Sequence, residues 1–121
     1  MTKTILVIED DPDVRDFEAM VLTREGFAVE TASTGSAALE QLERKTYDGI
    51  VLDVGLPEID GVEIARRIRT LKANRRTPLI MVTGSDDPQA RSEGFAAGVV
   101  VFLNKPITAS SFRSAIHSAM R

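Results

Sequence analysis

Residues 5–8 read Ile5-Leu6-Val7-Ile8, a continuous apolar run that is followed at once by the acidic triplet Glu9-Asp10-Asp11. A short run of branched apolar residues with polar neighbours is typical of a strand buried on both faces of a parallel sheet. The pattern recurs as Ile50-Val51-Leu52, Leu79-Ile80-Met81-Val82 and Val99-Val100-Val101-Phe102-Leu103. Residues 28–32 are less apolar and alternate in character, which predicts a further strand at the edge of the sheet.

Segments with helical periodicity separate these strands, and each carries its apolar residues on one face. They are Val14, Phe17 and Val21 before Gly26; Ala38, Leu39 and Leu42 after the cap Thr34; Ile64, Ala65, Ile68 and Leu71 after the cap Asp60; a segment begun by Asp87-Pro88 and ended by Gly94 or Gly98; and Phe112, Ala115, Ile116 and Ala119 after the cap Thr108. Five strand–helix pairs predict an α/β fold with a mainly parallel sheet and helices on both faces. We expect one domain, residues 1–121.

Composition and charge exclude several classes of protein. The net charge of −3 is unlike that of a non-specific nucleic-acid binder, which carries a basic face. The chain has no cysteine, no signal-peptide pattern and no apolar stretch of membrane-spanning length, which together predict a cytoplasmic protein. One local basic cluster is interpreted as the solvated end of a helix and the loop after it. Its members are Arg66, Arg67, Arg69, Lys72, Arg75 and Arg76.

Chemically useful side chains follow the apolar runs at the carboxyl ends of the predicted strands. Open α/β sheets bind their ligands at this edge. The acidic triplet 9–11 follows the first strand, Asp53 ends the third, Thr83 ends the fourth and Lys105 follows the fifth. Clustered carboxylates need a cation, and oxygen ligands without sulfur or imidazole suit Mg²⁺. An aspartate such as Asp53 can also accept a phosphoryl group, whose oxygens Lys105 and Thr83 could contact.

Each of these features also has a plain structural interpretation. The triplet 9–11 could simply cap the first helix, because Asp11 before Pro12 is a good capping signature. Asp53 at a strand end, Thr83 in a turn and Lys105-Pro106 in a loop indicate little when each is taken alone. The placement of fitting residue types at four separate strand ends favours a functional site.

These residues resemble the receiver domains of two-component response regulators along the whole chain. The matching pieces are Ile8-Glu9-Asp10-Asp11, Asp53-Val54-Gly55-Leu56-Pro57-Glu58-Ile59-Asp60-Gly61, Val82-Thr83-Gly84 and Phe102-Leu103-Asn104-Lys105-Pro106. The resemblance implies a flavodoxin-like (βα)5 doubly wound fold with strand order 2-1-3-4-5. It also implies a cis bond between Lys105 and Pro106, and a regulatory phosphoacceptor rather than an enzyme.

The resemblance further implies roles for individual residues. Asp53 would accept the phosphoryl group from a histidine kinase or a histidine phosphotransfer domain. Asp10, Asp11, Asp53 and the main-chain carbonyl of Gly55 would hold Mg²⁺. Thr83 and Lys105 would contact the phosphoryl group, and Thr83 with Phe102 would form the switch. Phosphorylation would draw Thr83 inward and let the Phe102 ring turn from an exposed to a buried position.

Some positions differ from the family pattern. Val100 and Val101 stand where acids are common, Asn104 stands where Thr or Ser is common, and Gly84 stands where Ala is common. Because the two valines replace charges that pair receivers in winged-helix transcription factors, we expect any contact made by this face to be more apolar than that dimer. Part of the valine run must be buried in the sheet, so we expect a monomer by default. Direct binding to nucleic acid or membrane is not expected. None of these changes removes a group that phosphorylation needs.

Three alternatives remain open at this point. The first is a receiver-like module that binds proteins and is never phosphorylated. The second is an aspartyl-phosphate hydrolase of the haloacid dehalogenase type, which would need a carboxylate two residues after Asp53, where this chain has Gly55. The third is a nucleotide-binding protein, but no Gly-rich loop follows the first strand.

Overall fold

The computed structural model describes residues 2–53, 60–84 and 88–120. Within these residues the strands are β1 (Thr4–Ile8), β2 (Ala28–Ala32), β3 (Gly49–Asp53), β4 (Leu79–Thr83) and β5 (Val99–Asn104). The helices are α1 (Pro12–Arg24), α2 (Gly35–Arg44), α3 (Gly61–Thr70), α4 (Pro88–Ala96) and α5 (Ala109–Ala119), with a 3₁₀ turn at Lys72–Asn74. All strand pairs are parallel in the order β2-β1-β3-β4-β5, which confirms the predicted flavodoxin-like fold.

Two hydrophobic cores lie on opposite faces of the sheet. One face of β1, β3 and β4 packs against α2 and α3, with Leu42 and Ile68 fully buried between them. The other face packs against α1 and α5, where Leu22 and Phe112 are fully buried. Burial on both faces explains why the central strands read as unbroken apolar runs. None of the helices in the described residues is long and apolar enough to cross a membrane.

Side-chain caps fix the helix boundaries close to where the sequence predicts them. Thr34 caps α2, Asp60 caps α3, and Thr108 caps α5 in a capping box with Ser111. The predicted cap Asp87 lies outside the described residues, and α4 begins at Pro88. Helix α3 ends at Thr70, so Leu71 follows the helix rather than belonging to it.

A β-bulge at Val100 determines which face each later residue of β5 occupies. Leu79 pairs with Val99 and Ile80 pairs with Val101, so Val100 has no partner on β4 and is 51% exposed. One extra residue reverses the alternation of side chains downstream of it. As a result, Phe102 lies on the same face as Val99, towards α4, while Val101 lies towards α1 and α5.

Candidate functional site

Four parallel strands bring their carboxyl ends, and the residues that follow them, to one edge of the sheet. Asp53 is the last residue of β3 and Thr83 the last of β4, and they are 4% and 7% exposed. Glu9 directly follows β1, and Lys105 directly follows β5. The backbone N–H of Lys105 donates to the carbonyl of Thr83 at 2.8 Å, which anchors the start of the loop after β5. The Lys105–Pro106 peptide bond is cis, as predicted.

The side chains at this edge form an acidic pocket with an ammonium group inside it. Carboxylate oxygens of Glu9, Asp10 and Asp53 all lie within 4.8 Å of one another. The Nζ atom of Lys105 is 3.0 Å from Oδ1 of Asp53 and 3.9 Å from Oε1 of Glu9. Among the described residues, the group thus has three carboxylates and one ammonium group that contacts two of them, which leaves an excess of negative charge.

Burial, together with the neighbouring carboxylates, perturbs the pKa of Glu9, which is 1% exposed. Burial, then a hydrogen bond to Asp53 and the charge of Asp53, raise the pKa of Glu9 to about 9. Lys105 only partly offsets this effect. A metal-free pocket therefore holds Glu9 protonated at neutral pH, whereas a bound cation would favour the ionised form.

The Lys105 ammonium is stabilised in its charged form. Burial alone would lower its pKa, but the hydrogen bond and charge of Asp53, together with the charges of Glu9 and Glu18, outweigh burial and raise the pKa. Lys105 therefore stays cationic at neutral pH and lies beside the carboxylate of Asp53, where it can neutralise an anion attached to that residue.

The model of the response regulator receiver domain family matches residues 5–117. This chain is a receiver domain. A curated relative is the transcriptional regulatory protein SrrA of Staphylococcus aureus (strain NCTC 8325 / PS 47), which is 35% identical over 108 residues. The match covers 89% of this chain and 44% of SrrA, so the chain spans less than half of that relative's length.

Solved structures agree with this assignment. The chemotaxis protein CheY4 of Vibrio cholerae matches with a TM-score of 0.93 at 27% identity, over 98% of this chain and 99% of that chain. The receiver domain of the sensor histidine kinase PA1611 of Pseudomonas aeruginosa PAO1 matches with a TM-score of 0.87 at 28% identity, over 99% and 98% of the two chains. That structure contains a magnesium ion coordinated in its active site cleft.

The acidic group in this receiver differs by one residue from the predicted ligand set. Asp10 and Asp53 are in the group, and Glu9 joins them. The Oδ1 atom of Asp11 instead accepts hydrogen bonds from the N–H groups of Asp13 at 2.9 Å and Val14 at 3.4 Å, so Asp11 caps α1. The predicted cap of α1 is therefore confirmed for Asp11, and its role as a Mg²⁺ ligand stays a prediction. The other predicted ligand, the carbonyl of Gly55, lies outside the described residues.

The residues present fit a divalent cation. The buried Oε1 atom of Glu9 has no hydrogen-bond partner among the described residues, although it lies within ion-pair distance of Lys105. The group contains only carboxylates, the hard ligands that Mg²⁺ prefers. Glu9 is the residue that sequence reasoning left unassigned, because the sequence does not tell which acids of the triplet turn inward.

The capping geometry predicts the effect of Asp11→Ala. Loss of the side-chain acceptor for Asp13 and Val14 should lower the free energy of unfolding by about 1 kcal/mol, as at other helix N-caps. Urea denaturation in EDTA checks this, with Asp16→Ala as the control because Asp16 is an exposed acid later in α1. An Asp11→Ala variant as stable as wild type would argue against the capping role.

The predicted switch residue Phe102 is half-buried against α4. Its ring packs edge-on against Phe95 with centroids 4.9 Å apart, and the guanidinium carbon of Arg91 lies 5.4 Å from the ring centroid. Arg91 also donates to Oδ1 of Asn104 at 2.7 Å. Gly94 lies against the tip of the ring, and a Cβ atom at this position would overlap Cζ of Phe102. The absence of a side chain at Gly94 thus lets the ring pack against the helix.

Gly94→Ala is therefore expected to displace the Phe102 ring. We expect the free energy of unfolding to fall by about 1 kcal/mol, because overpacking outweighs the higher helix propensity of alanine. Denaturation and NOEs between the ring and residue 94 check this. Gly84→Ala is a suitable control because a Cβ at position 84 meets no atom of the described residues within 4 Å. Equal stability losses in the two variants would show that the ring is not held in this way.

A second residue that sequence reasoning missed is Glu18 on α1. It is 1% exposed, and its Oε2 atom has no hydrogen-bond partner within the part of the chain that the structure describes. Burial, followed by the charge of Asp53, raises its pKa to about 8. The sequence does contain a signal, because Glu18 follows Val14 by four residues and precedes Val21 and Leu22 on the apolar stripe of α1.

Proposed function

We propose that Asp53 accepts a phosphoryl group from a phosphohistidine of a histidine kinase or histidine phosphotransfer protein, in a Mg²⁺-dependent reaction. The observation that carries the proposal is the 3.0 Å contact between Lys105 and Asp53 inside the carboxylate group. Receiver domains of response regulators are regulatory phosphoacceptor domains, and the pocket of this chain retains an aspartate, a hydroxyl and an ammonium group for that role.

The reaction requires little covalent chemistry from the protein. A carboxylate oxygen of Asp53 forms a bond to phosphorus while the bond between phosphorus and the histidine nitrogen breaks, and the electron pair remains on that nitrogen. Lys105 then lies where it can neutralise a phosphoryl oxygen, and the Thr83 hydroxyl can donate to another. Positioning and charge neutralisation of this kind account for most catalysis of phosphoryl transfer.

Mg²⁺ would be held by the carboxylates of Asp10 and Asp53, and Glu9 belongs to the same cluster of carboxylates. When bound, it supplies positive charge that offsets the carboxylates and the incoming phosphoryl oxygens. Glu9 would then have to release its proton, because the metal-free pocket favours the protonated form. The affinity for Mg²⁺ should therefore rise with pH. Asp11 was also predicted as a ligand, and comparing Asp10→Ala with Asp11→Ala in a Mg²⁺ titration distinguishes the two assignments.

The phosphodonor is expected to dock beside the pocket. A groove of about 590 Å³ lies next to Lys105, and its apolar wall is formed by Val14, Phe17, Pro106 and Ile107. An apolar groove that adjoins the acceptor would let a partner place a helix face there and bring its phosphohistidine to Asp53. As a partner of a kinase, the receiver would act in the cytoplasm.

Phosphorylation is proposed to act on the surface of α4, β5 and α5 through Thr83 and Phe102. Phe95 and Val100 are exposed apolar residues on this surface, at 54% and 51% exposure. Any contact made here should be more apolar than a charge-paired dimer, and we expect a monomer without a partner. Sedimentation with beryllofluoride and Mg²⁺ tests this, since an activated dimer that dissolves in high salt would contradict it.

The proposed function is tested by incubation with acetyl phosphate and Mg²⁺, followed by intact mass measurement. The expected result is the addition of one phosphoryl group that requires Mg²⁺ and is prevented by EDTA. A chain that binds Mg²⁺ yet never gains the phosphoryl mass would favour the alternative of a protein-binding module.

A further inference from the structure

The basic cluster seen in the sequence divides into two parts in the structure. Arg66 pairs with Glu63 and Glu93, and Arg67 pairs with Glu63. Arg69 donates to backbone carbonyls. The remaining three cations, Lys72, Arg75 and Arg76, have no carboxylate partner among the described residues and are exposed. Half of the cluster therefore forms ordinary surface ion pairs or internal contacts, while these three charges remain uncompensated on a chain with a net charge of −3.

These three cations line one cavity of about 430 Å³ at the amino-terminal ends of β3 and β4. The cavity lies at the opposite edge of the sheet from Asp53. Its volume is within the range of small-molecule sites. The acid in its lining is Asp48, whose Oδ2 atom accepts a hydrogen bond from the N–H of Thr4 at 2.8 Å.

The buried side-chain amide of Asn74 stabilises the segment 72–77, which carries the three cations. Asn74 is fully buried, and its Oδ1 atom accepts from the N–H of Tyr47 at 2.9 Å and from Oγ1 of Thr77 at 2.9 Å. Its Nδ2 atom donates to the carbonyls of Leu42 at 2.6 Å and Lys45 at 2.7 Å. One side chain thus ties the segment 72–77 to the chain on either side of residue 46, and a fixed site loses less entropy on binding.

Arg69 also stabilises the segment 72–77 through hydrogen bonds to its backbone. Its Nη1 atom donates to the carbonyls of Asn74 at 3.1 Å and Arg75 at 3.0 Å, and its other nitrogens donate to the carbonyls of Ala97 and Gly98 at 3.1 Å each. The carbonyls of residues 74 and 75 are thus occupied by a guanidinium. The segment therefore offers its charged side chains, rather than these carbonyl oxygens, to a ligand in the cavity.

We propose that this cavity binds a small molecule that carries two or more phosphate groups, with Lys72, Arg75 and Arg76 as its anion-binding residues. Planar guanidinium groups bind phosphate oxygens in pairs. Three cations in one lining favour a ligand with several negative charges over a single carboxylate. The volume of this open cavity suits a small molecule. Binding here is separate from phosphorylation of Asp53.

Inorganic triphosphate is the probe, titrated by calorimetry into the full chain at physiological ionic strength in EDTA, so that no metal links the probe to the Asp53 pocket. The expected result is saturable binding, with NMR amide chemical-shift changes at residues 46–48 and 72–77. The double variant Arg75→Ser with Arg76→Ser should weaken binding about tenfold or more, which corresponds to the loss of charge-assisted hydrogen bonds.

The matched control is Arg66→Ser with Arg67→Ser, which removes the same charge from residues that pair with Glu63 and do not line the cavity. It should change the affinity less than about twofold, since exposed ion pairs contribute little. Equal weakening in both double variants, shifts confined to the Asp53 pocket, or no binding at millimolar triphosphate would each overturn the proposal. Melting temperatures and phosphorylation by acetyl phosphate should be unchanged in both variants.

Discussion

Asp53→Asn is expected to abolish phosphorylation by acetyl phosphate. The amide keeps the size and shape of the side chain at the end of β3 but has no anionic oxygen to attack phosphorus. It also removes one carboxylate from the group with Glu9 and Asp10, so the affinity for Mg²⁺ should fall as well. Intact mass and a Mg²⁺ titration measure the two effects on the same preparation.

The matched control for Asp53→Asn is Asp16→Asn, which removes one negative charge from an exposed position on α1. The control should gain the phosphoryl mass at the wild-type rate. A full phosphoryl increment in Asp53→Asn would mean that another residue accepts the group, and the assignment of Asp53 would be wrong. Loss of the increment in both variants would point to a general effect of charge rather than to one nucleophile.

Glu18→Gln is expected to make the metal-free protein more stable, and increasingly so as pH rises. The carboxyl has a pKa of about 8 in the fold against an ordinary value of 4.5, so the folded chain holds a proton that the unfolded chain releases. Stability is therefore lost as pH increases from about 4.5 to about 8 and changes little above that. A shift of this size corresponds to an upper limit of roughly 4 to 5 kcal/mol.

Urea denaturation of both proteins between pH 5 and pH 9, in EDTA, measures this effect. Glutamine is nearly isosteric and cannot ionise, so the difference in unfolding free energy should grow between pH 5 and pH 8 and then level off. Glu40→Gln is the control, because Glu40 is an exposed residue of α2 and its side chain is 70% accessible. Parallel pH profiles for wild type and Glu18→Gln would show that the buried carboxyl does not cause the loss of stability at higher pH.

The positions at the strand ends could be predicted because a parallel sheet leaves few choices. Apolar runs define the strands, and the residue type just beyond each run is then informative, as for Asp53, Thr83 and Lys105. The assignment within the triplet 9–11 could not be decided in this way. The capping signal of Asp11 before Pro12 was visible, but the inward position of Glu9 depends on tertiary packing that a sequence pattern does not contain.

Buried polar groups were the harder part to predict. Glu18 interrupts an apolar stripe, and hydrophobic periodicity alone gives no way to distinguish a buried acid from an exposed one at the stripe's margin. Asn74 gave no signal at all, because its four hydrogen-bond partners come from segments far apart in sequence or from an irregular turn. The burial of Glu18 and of Asn74 is determined by contacts that exist only after the sheet has assembled.

The bulge at Val100 also has a consequence for how copies of this chain meet. Strand β5 lies at the edge of the sheet and pairs only with β4. Unpaired backbone groups on an edge strand favour the addition of a strand from another chain. A bulge twists such a strand and interrupts the regular spacing of its hydrogen-bonding groups. The extra residue that directs Phe102 towards α4 therefore also makes β5 a poor template for intermolecular strand addition, which should help the receiver resist aggregation even though Val100 is exposed and apolar.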